Sequence, residues 1–176
     1  TSEMRSVEFP LADRLVLTPV ELAQGAKYAV ALFVLLALLG GFNGGSYAVS
    51  TAAARLPGAA VLAVAGLVGG SFLTPVLLPW LPGRSFAVKG GSIGIMLGGL
   101  GWLAGVPEPG AGAVWLGALS GLLVVGSLSA FLGMKFTGCT PYTSLSGVEK
   151  EVRYALPAQI GGCAVGVVTW CLAGLF

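Results

Sequence analysis

The chain has three thiols, Cys139, Cys163 and Cys171, and no histidine among its 176 residues. The missing imidazole removes the commonest general base and the commonest metal ligand. The cysteines form no CxxC and no metal-ligand spacing, and an odd number makes no disulfide framework. Cys163 and Cys171 lie in an apolar run and are expected to pack as small hydrophobes. Cys139 differs, because it sits in a polar stretch close to Lys135. A thiolate in such surroundings is a ligand for a soft metal ion, although a single thiol without a partner is more often only structural. Around it, Thr137, Thr140, Tyr142 and Thr143 gather hydroxyls beside a proline, and loops of this kind carry function more often than spans do. Directly downstream, Ser146-Gly147-Val148-Glu149 has the S-x-x-E form of a capping box. It predicts a short helix through Lys150, Glu151 and Arg153.

The elements that must position these residues are membrane helices. Hydrophobic residues make up 56% of the chain and charged residues 9%, against about 25% charged in ordinary soluble domains. Such a chain cannot cover a soluble core with polar surface, but in lipid the outside of a bundle is as apolar as its inside. Five apolar segments, at about 20–41, 59–80, 87–104, 113–132 and 156–176, each match the ~20 residues needed to cross a 30 Å hydrocarbon core. The predicted fold is an all-α bundle of five transmembrane helices. Residues 1–19 read as a linker from a preceding domain. In it, Thr18 is placed as N-cap, Pro19 at the first helical position and Glu21 at N3. Residues 47–56 read as a short interfacial helix, and Pro75 and Pro79 as the bend or end of the second span. With five spans, Arg5, Arg14, Lys27, Arg84, Lys89, Lys135, Lys150 and Arg153 fall on one side and Arg55 alone on the other. The positive-inside rule then puts the N-terminus and the 133–155 loop in the cytoplasm.

Charge and polarity also narrow the function. A net charge of +2 without a basic run gives nucleic acid no surface to bind. Every charged side chain falls at or near a span end, whereas a transporter usually holds ionisable groups at mid-membrane. The broken helix expected at Pro75 is the strongest feature for transport. The chain contains 29 glycines, recurring as the pairs Gly66/Gly70, Gly90/Gly94/Gly98, Gly117/Gly121 and Gly162/Gly166. This small-xxx-small spacing is expected to serve packing inside the bundle rather than a dimer face.

Three stretches are more specific than generic membrane sequence: VEFPLADRLVLTPVEL (7–22), PGRSFAVKG (82–90) and FTGCTPYTSLSGVEKEVR (136–153). Together they resemble the C-terminal transmembrane domain of the mercury-methylating corrinoid proteins (HgcA), over essentially the whole chain. The resemblance implies a cytoplasmic corrinoid (cobalamin-type) domain ahead of this segment, which begins at Thr1 and reads as a piece of a longer protein. It further implies a two-cluster ferredoxin partner carrying 4Fe–4S clusters, Hg(II) as the substrate of the parent methyltransferase, and residence in the cytoplasmic membrane of a prokaryote. The family's Asn-x-Trp-Cys cap-helix motif is absent here, so no catalytic or cofactor-binding residue carries over. The implied role is an anchor and docking platform. Thr137, Thr140, Tyr142, Thr143, Ser146, Glu149 and Arg153 would form the docking loop, and Cys139 would make a transient Hg(II) contact. Two other classes stand beside it: a small multi-pass transporter, and the membrane anchor of an acetyl-CoA-pathway corrinoid protein.

Overall fold

A computed structural model describes residues 11–43, 45–81, 83, 85–106, 114–135 and 145–175. The elements run α1 (Leu11–Leu39), β1 (Phe42–Asn43), β2 (Ser46–Tyr47), α2 (Val49–Val68), a π-helical turn (Gly69–Leu73), α3 (Thr74–Leu77), α4 (Phe86–Leu103), α5 (Val114–Lys135) and α6 (Leu145–Ala173). Among the described residues, five helical segments are long and apolar enough to cross a membrane, as expected for an all-α five-span bundle.

The bundle is organised around α5. In its apolar window 72% of residues are buried, against 22% in the windows of α1 and α6. The reason is its run of small residues, Gly117, Ala118, Ser120, Gly121, Gly126 and Ser129, which lets neighbouring backbones approach. A Cβ added at Gly90, Gly94 or Gly98 of α4 would stand 2.5–2.7 Å from the carbonyls of Ser129, Val125 and Gly121. Gly66 and Gly70 likewise meet Leu128 and Leu132, and Gly166 meets Leu123 and Val124. The glycine pairs therefore pack within one chain. Ser129 Oγ adds a buried hydrogen bond to the Gly90 carbonyl at 2.7 Å.

Three helix boundaries differ from those read in the sequence, and one cause covers them. Helix α1 begins at Leu11, so Thr18 and Pro19 lie inside the helix rather than at its start, and the apolar span within it runs Leu15–Leu39. Helix α2 begins at Val49 and passes through Pro57 without a break, merging the expected interfacial helix into the second span. Helix α6 begins at Leu145 and passes through Pro157, so the short capping-box helix and the last span are one. A proline inside a helix frees the carbonyl four residues back. Here Pro19, Pro57 and Pro157 are all exposed, as are Leu15, Ala53 and Arg153, the residues whose carbonyls they free. Those residues lie outside the packed core, so the lost hydrogen bonds leave the buried packing intact and the helices continue.

Pro75 acts differently, because it is buried. The turn before it widens to π geometry, with the Thr74 N–H bonded to the Gly69 carbonyl. Thr74 Oγ1 donates to the same oxygen at 2.7 Å. The opposite end of α1 turns through the hairpin, where Phe42 pairs with Tyr47 and Asn43 with Ser46. Gly45 lies in its turn at φ +89°, a conformation that favours glycine.

Candidate functional site at the polar end of the bundle

The N-terminal turns of α4 and α6 meet through one carboxylate. Ser85 Oγ donates to Glu151 Oε1 at 2.9 Å, and the Ala87 backbone N–H donates to the same oxygen at 2.7 Å. Ser85 is the N-cap of α4, its Oγ accepting from the Val88 N–H at 3.4 Å. A carboxylate at this point satisfies an orphan N–H and sits in the positive end of the helix dipole. Glu151 was not among the residues expected to act. It lies two positions beyond the acidic residue of the capping box, and its partners are 64 and 66 residues away, so no local signal marks it.

Other polar groups gather at this end. Lys89 Nζ donates to the Leu78 carbonyl at 2.9 Å, capping the chain where the second span stops. Lys27 and Lys135 lie over the Tyr28 ring at 5.0 and 4.8 Å from its centroid. Phe131 meets the same ring edge-on, with centroids 5.0 Å apart. The amino-terminal part of α1, the carboxy-terminal end of α5 and the first turns of α4 and α6 thus form one polar end.

Between α4 and α6, over α5, runs an open groove of about 980 Å³. Its floor includes Gly126 and Ala130, and its walls include Gly91 and Ile95 of α4 and Ala158 and Gly162 of α6. Ser85, Lys150, Glu151 and Tyr154 line its polar mouth. Gln159 also lines it, although its side chain is only 8% exposed. Its Nε2 has just the Met134 thioether at 4.0 Å, and its Oε1 has no partner.

The opposite end is held by Arg55. Its guanidinium donates to the Trp170 carbonyl at 2.6 Å and stacks 4.0 Å above that indole. The indole N–H in turn donates to the Leu36 carbonyl at 3.0 Å. Arg55 therefore closes the carboxy-terminal ends of α1 and α6, where a cation is favoured by both helix dipoles.

Of the docking residues expected from sequence, Glu149 and Arg153 lie on exposed positions of α6 beside Glu151. Ser146 belongs to the first turn of that helix, and its side chain is not described. Thr137, Cys139, Thr140, Tyr142 and Thr143 lie outside the described residues. Cys163 and Cys171 are free thiols packed against the core. Among the described residues, no three His, Cys, Asp or Glu come together to hold a metal ion. At the π-helical turn before Pro75 the packing against α5 is close: a Cβ at Gly70 would stand 2.6 Å from Leu132 Cβ. No family model, curated protein or solved structure matches the chain.

Proposed function

We propose that this chain is the membrane domain of a corrinoid-dependent methyltransferase that converts Hg(II) to methylmercury, and that it anchors and docks the cytoplasmic corrinoid domain and a two-cluster ferredoxin. One observation carries the reading. Two stretches that resemble the mercury-methylating family, 82–90 and 136–153, are far apart in sequence, yet their members Ser85, Ala87 and Glu151 are hydrogen-bonded to one another. The contact joins the two stretches at one polar end of the bundle, where a docking platform would present them together.

The charge distribution supports the orientation. Lys27, Lys89, Lys135 and Lys150 stand at the end that holds Glu151, and Arg55 stands at the other. By the positive-inside rule the Glu151 end faces the cytoplasm of a prokaryotic inner membrane, next to a preceding corrinoid domain. In this reading the corrinoid and the 4Fe–4S clusters belong to the other partners, and Hg(II) is substrate.

The test replaces this segment, in the full-length parent, by an unrelated five-span anchor. Mercury methylation is expected to fall at least tenfold while the corrinoid domain stays folded and membrane-bound. Unchanged methylation would reduce the segment to an anchor. Failure of the intact parent to methylate mercury, with corrinoid and ferredoxin supplied, would overturn the mercury assignment.

A further inference from the structure

We propose that the α4–α6 groove seats helix α1 of a second copy of this chain. The contact is heterologous, one surface meeting a different surface of the next copy. It rests on the membrane setting of the bundle and not on mercury chemistry.

The groove has the form of a helix seat. It is lined by Val88, Gly91 and Ile95 of α4 and by Ala155, Ala158 and Gly162 of α6. Each set is spaced three and four residues apart, the spacing that turns one face of a helix toward a neighbour. Helices α1, α2, α4 and α6 all touch α5, and a helix laid between α4 and α6 continues that packing.

Gln159 shows that the seat suits a hydrogen-bonding occupant. Its side chain is nine-tenths buried, its Nε2 meets only the Met134 thioether and its Oε1 has no partner. Lipid tails offer neither donor nor acceptor, and a polar group left unpaired in hydrocarbon is costly. Side chains such as Asn and Gln satisfy one another across membrane helix interfaces.

Helix α1 carries the complement. Its exposed positions Val20, Gln24, Lys27, Ala31, Val34 and Leu38 follow the same four-and-three spacing. Among the described residues of the five spans, Gln24 is the only exposed amide. Two copies inserted with one topology stand parallel, so groups that pair must lie at one depth. Helix α5 supplies the scale. A Cβ at Gly25 would stand 3.4 Å from Leu132 Cδ2, and one at Gly162 would stand 2.7 Å from Ser127 Oγ. Gln24 and Gln159 lie one and three residues farther toward the polar end, so both stand beside residues 129–133, within about one helical turn of each other.

The charges match at the next level. Lys27 and Lys135 share the Tyr28 ring, so the Lys27 ammonium stands at the last turn of α5. The Glu151 carboxylate binds the first turn of α4, where the Phe86 carbonyl lies 3.4 Å from a Cβ placed at Gly133. Cation on α1 and carboxylate on the groove thus meet the same turn with opposite sign.

The experiment co-expresses two tagged forms of the full-length parent, one with Gln24→Cys and the other with Ala158→Cys. Their membranes are treated with a short bifunctional thiol reagent. A mixed dimer is expected, at least fivefold more abundant than when Ile160→Cys replaces Ala158→Cys, since Ile160 is exposed on α6 outside the groove. The native thiols are present in every arm and set one background. Förster transfer between labelled copies of the purified parent in vesicles then measures association. Gln24→Leu, at an exposed position that leaves the fold intact, should weaken it about 3- to 15-fold. Adding Gln159→Leu should weaken it no further. A monomer in vesicles overturns the proposal. So does equal crosslinking at positions 158 and 160, a crosslink from Ala158→Cys only to a different protein, or an association that Gln24→Leu leaves unchanged.

Discussion

Gly90 and Gly91 are adjacent on α4, and adding one methyl group to each should have opposite effects. At Gly91 a Cβ would stand 3.5 Å from Ala130 Cβ, an ordinary contact. The substitution Gly91→Ala therefore keeps the packing and gains helix propensity, about 0.8–1 kcal/mol. At Gly90 the Cβ would stand 2.5 Å from the Ser129 carbonyl oxygen and 3.1 Å from Ala130 Cα. Both are backbone atoms of the central helix, so neither can swing aside and α4 must move away. Overpacking of this kind costs about 1–3 kcal/mol, and the shift also strains the 2.7 Å bond from Ser129 Oγ to the Gly90 carbonyl. The propensity gain is common to both variants and cancels in their difference. Gly90→Ala is thus expected to be less stable than Gly91→Ala by about 1–3 kcal/mol, roughly 5- to 150-fold in the folding equilibrium. Reversible unfolding in mixed micelles, followed by helical circular dichroism, measures the difference. Equal stability of the two variants would refute the close approach of α4 to α5. It would also loosen the argument for the site, because that packing carries Ser85 and Ala87 to Glu151.

Two further outcomes follow from the two ends of the bundle. Arg55→Met is expected to destabilise the protein by about 2–3 kcal/mol in the same assay, since it removes a charged donor from the Trp170 carbonyl and a cation from the face of its indole. A loss below about 0.5 kcal/mol would show that the guanidinium is not holding α1 and α6 together. For orientation, a cysteine placed at exposed Glu149 should react with a membrane-impermeant maleimide only from the cytoplasmic face, and one at exposed Ser46 only from the other face. Labelling of both from one side would contradict an odd number of spans between them.

Composition alone was enough to establish that this chain lives in lipid, because 9% charge cannot clothe a soluble core. The number of spans was equally legible, since each crossing needs its own apolar stretch and the stretches are separated by turns or charges. The packing role of the glycines could also be read from their spacing of four, which is a local property of a helix. Where the helices begin could not. Pro19, Pro57 and Pro157 look like boundaries in sequence, and they fail to be boundaries only because tertiary packing turns them outward. Pro75 is chemically identical and follows a π-helical distortion of its helix, because packing buries it inside the bundle. The polar site was the least legible part. S-x-x-E drew attention to Glu149, which is exposed, whereas Glu151 is the residue that binds α4. A capping box is a pattern of neighbours, but Glu151 takes its meaning from Ser85 and Ala87. Their meeting depends on how closely two helices approach a third, and that distance is set by side-chain volumes summed along α4, α5 and α6.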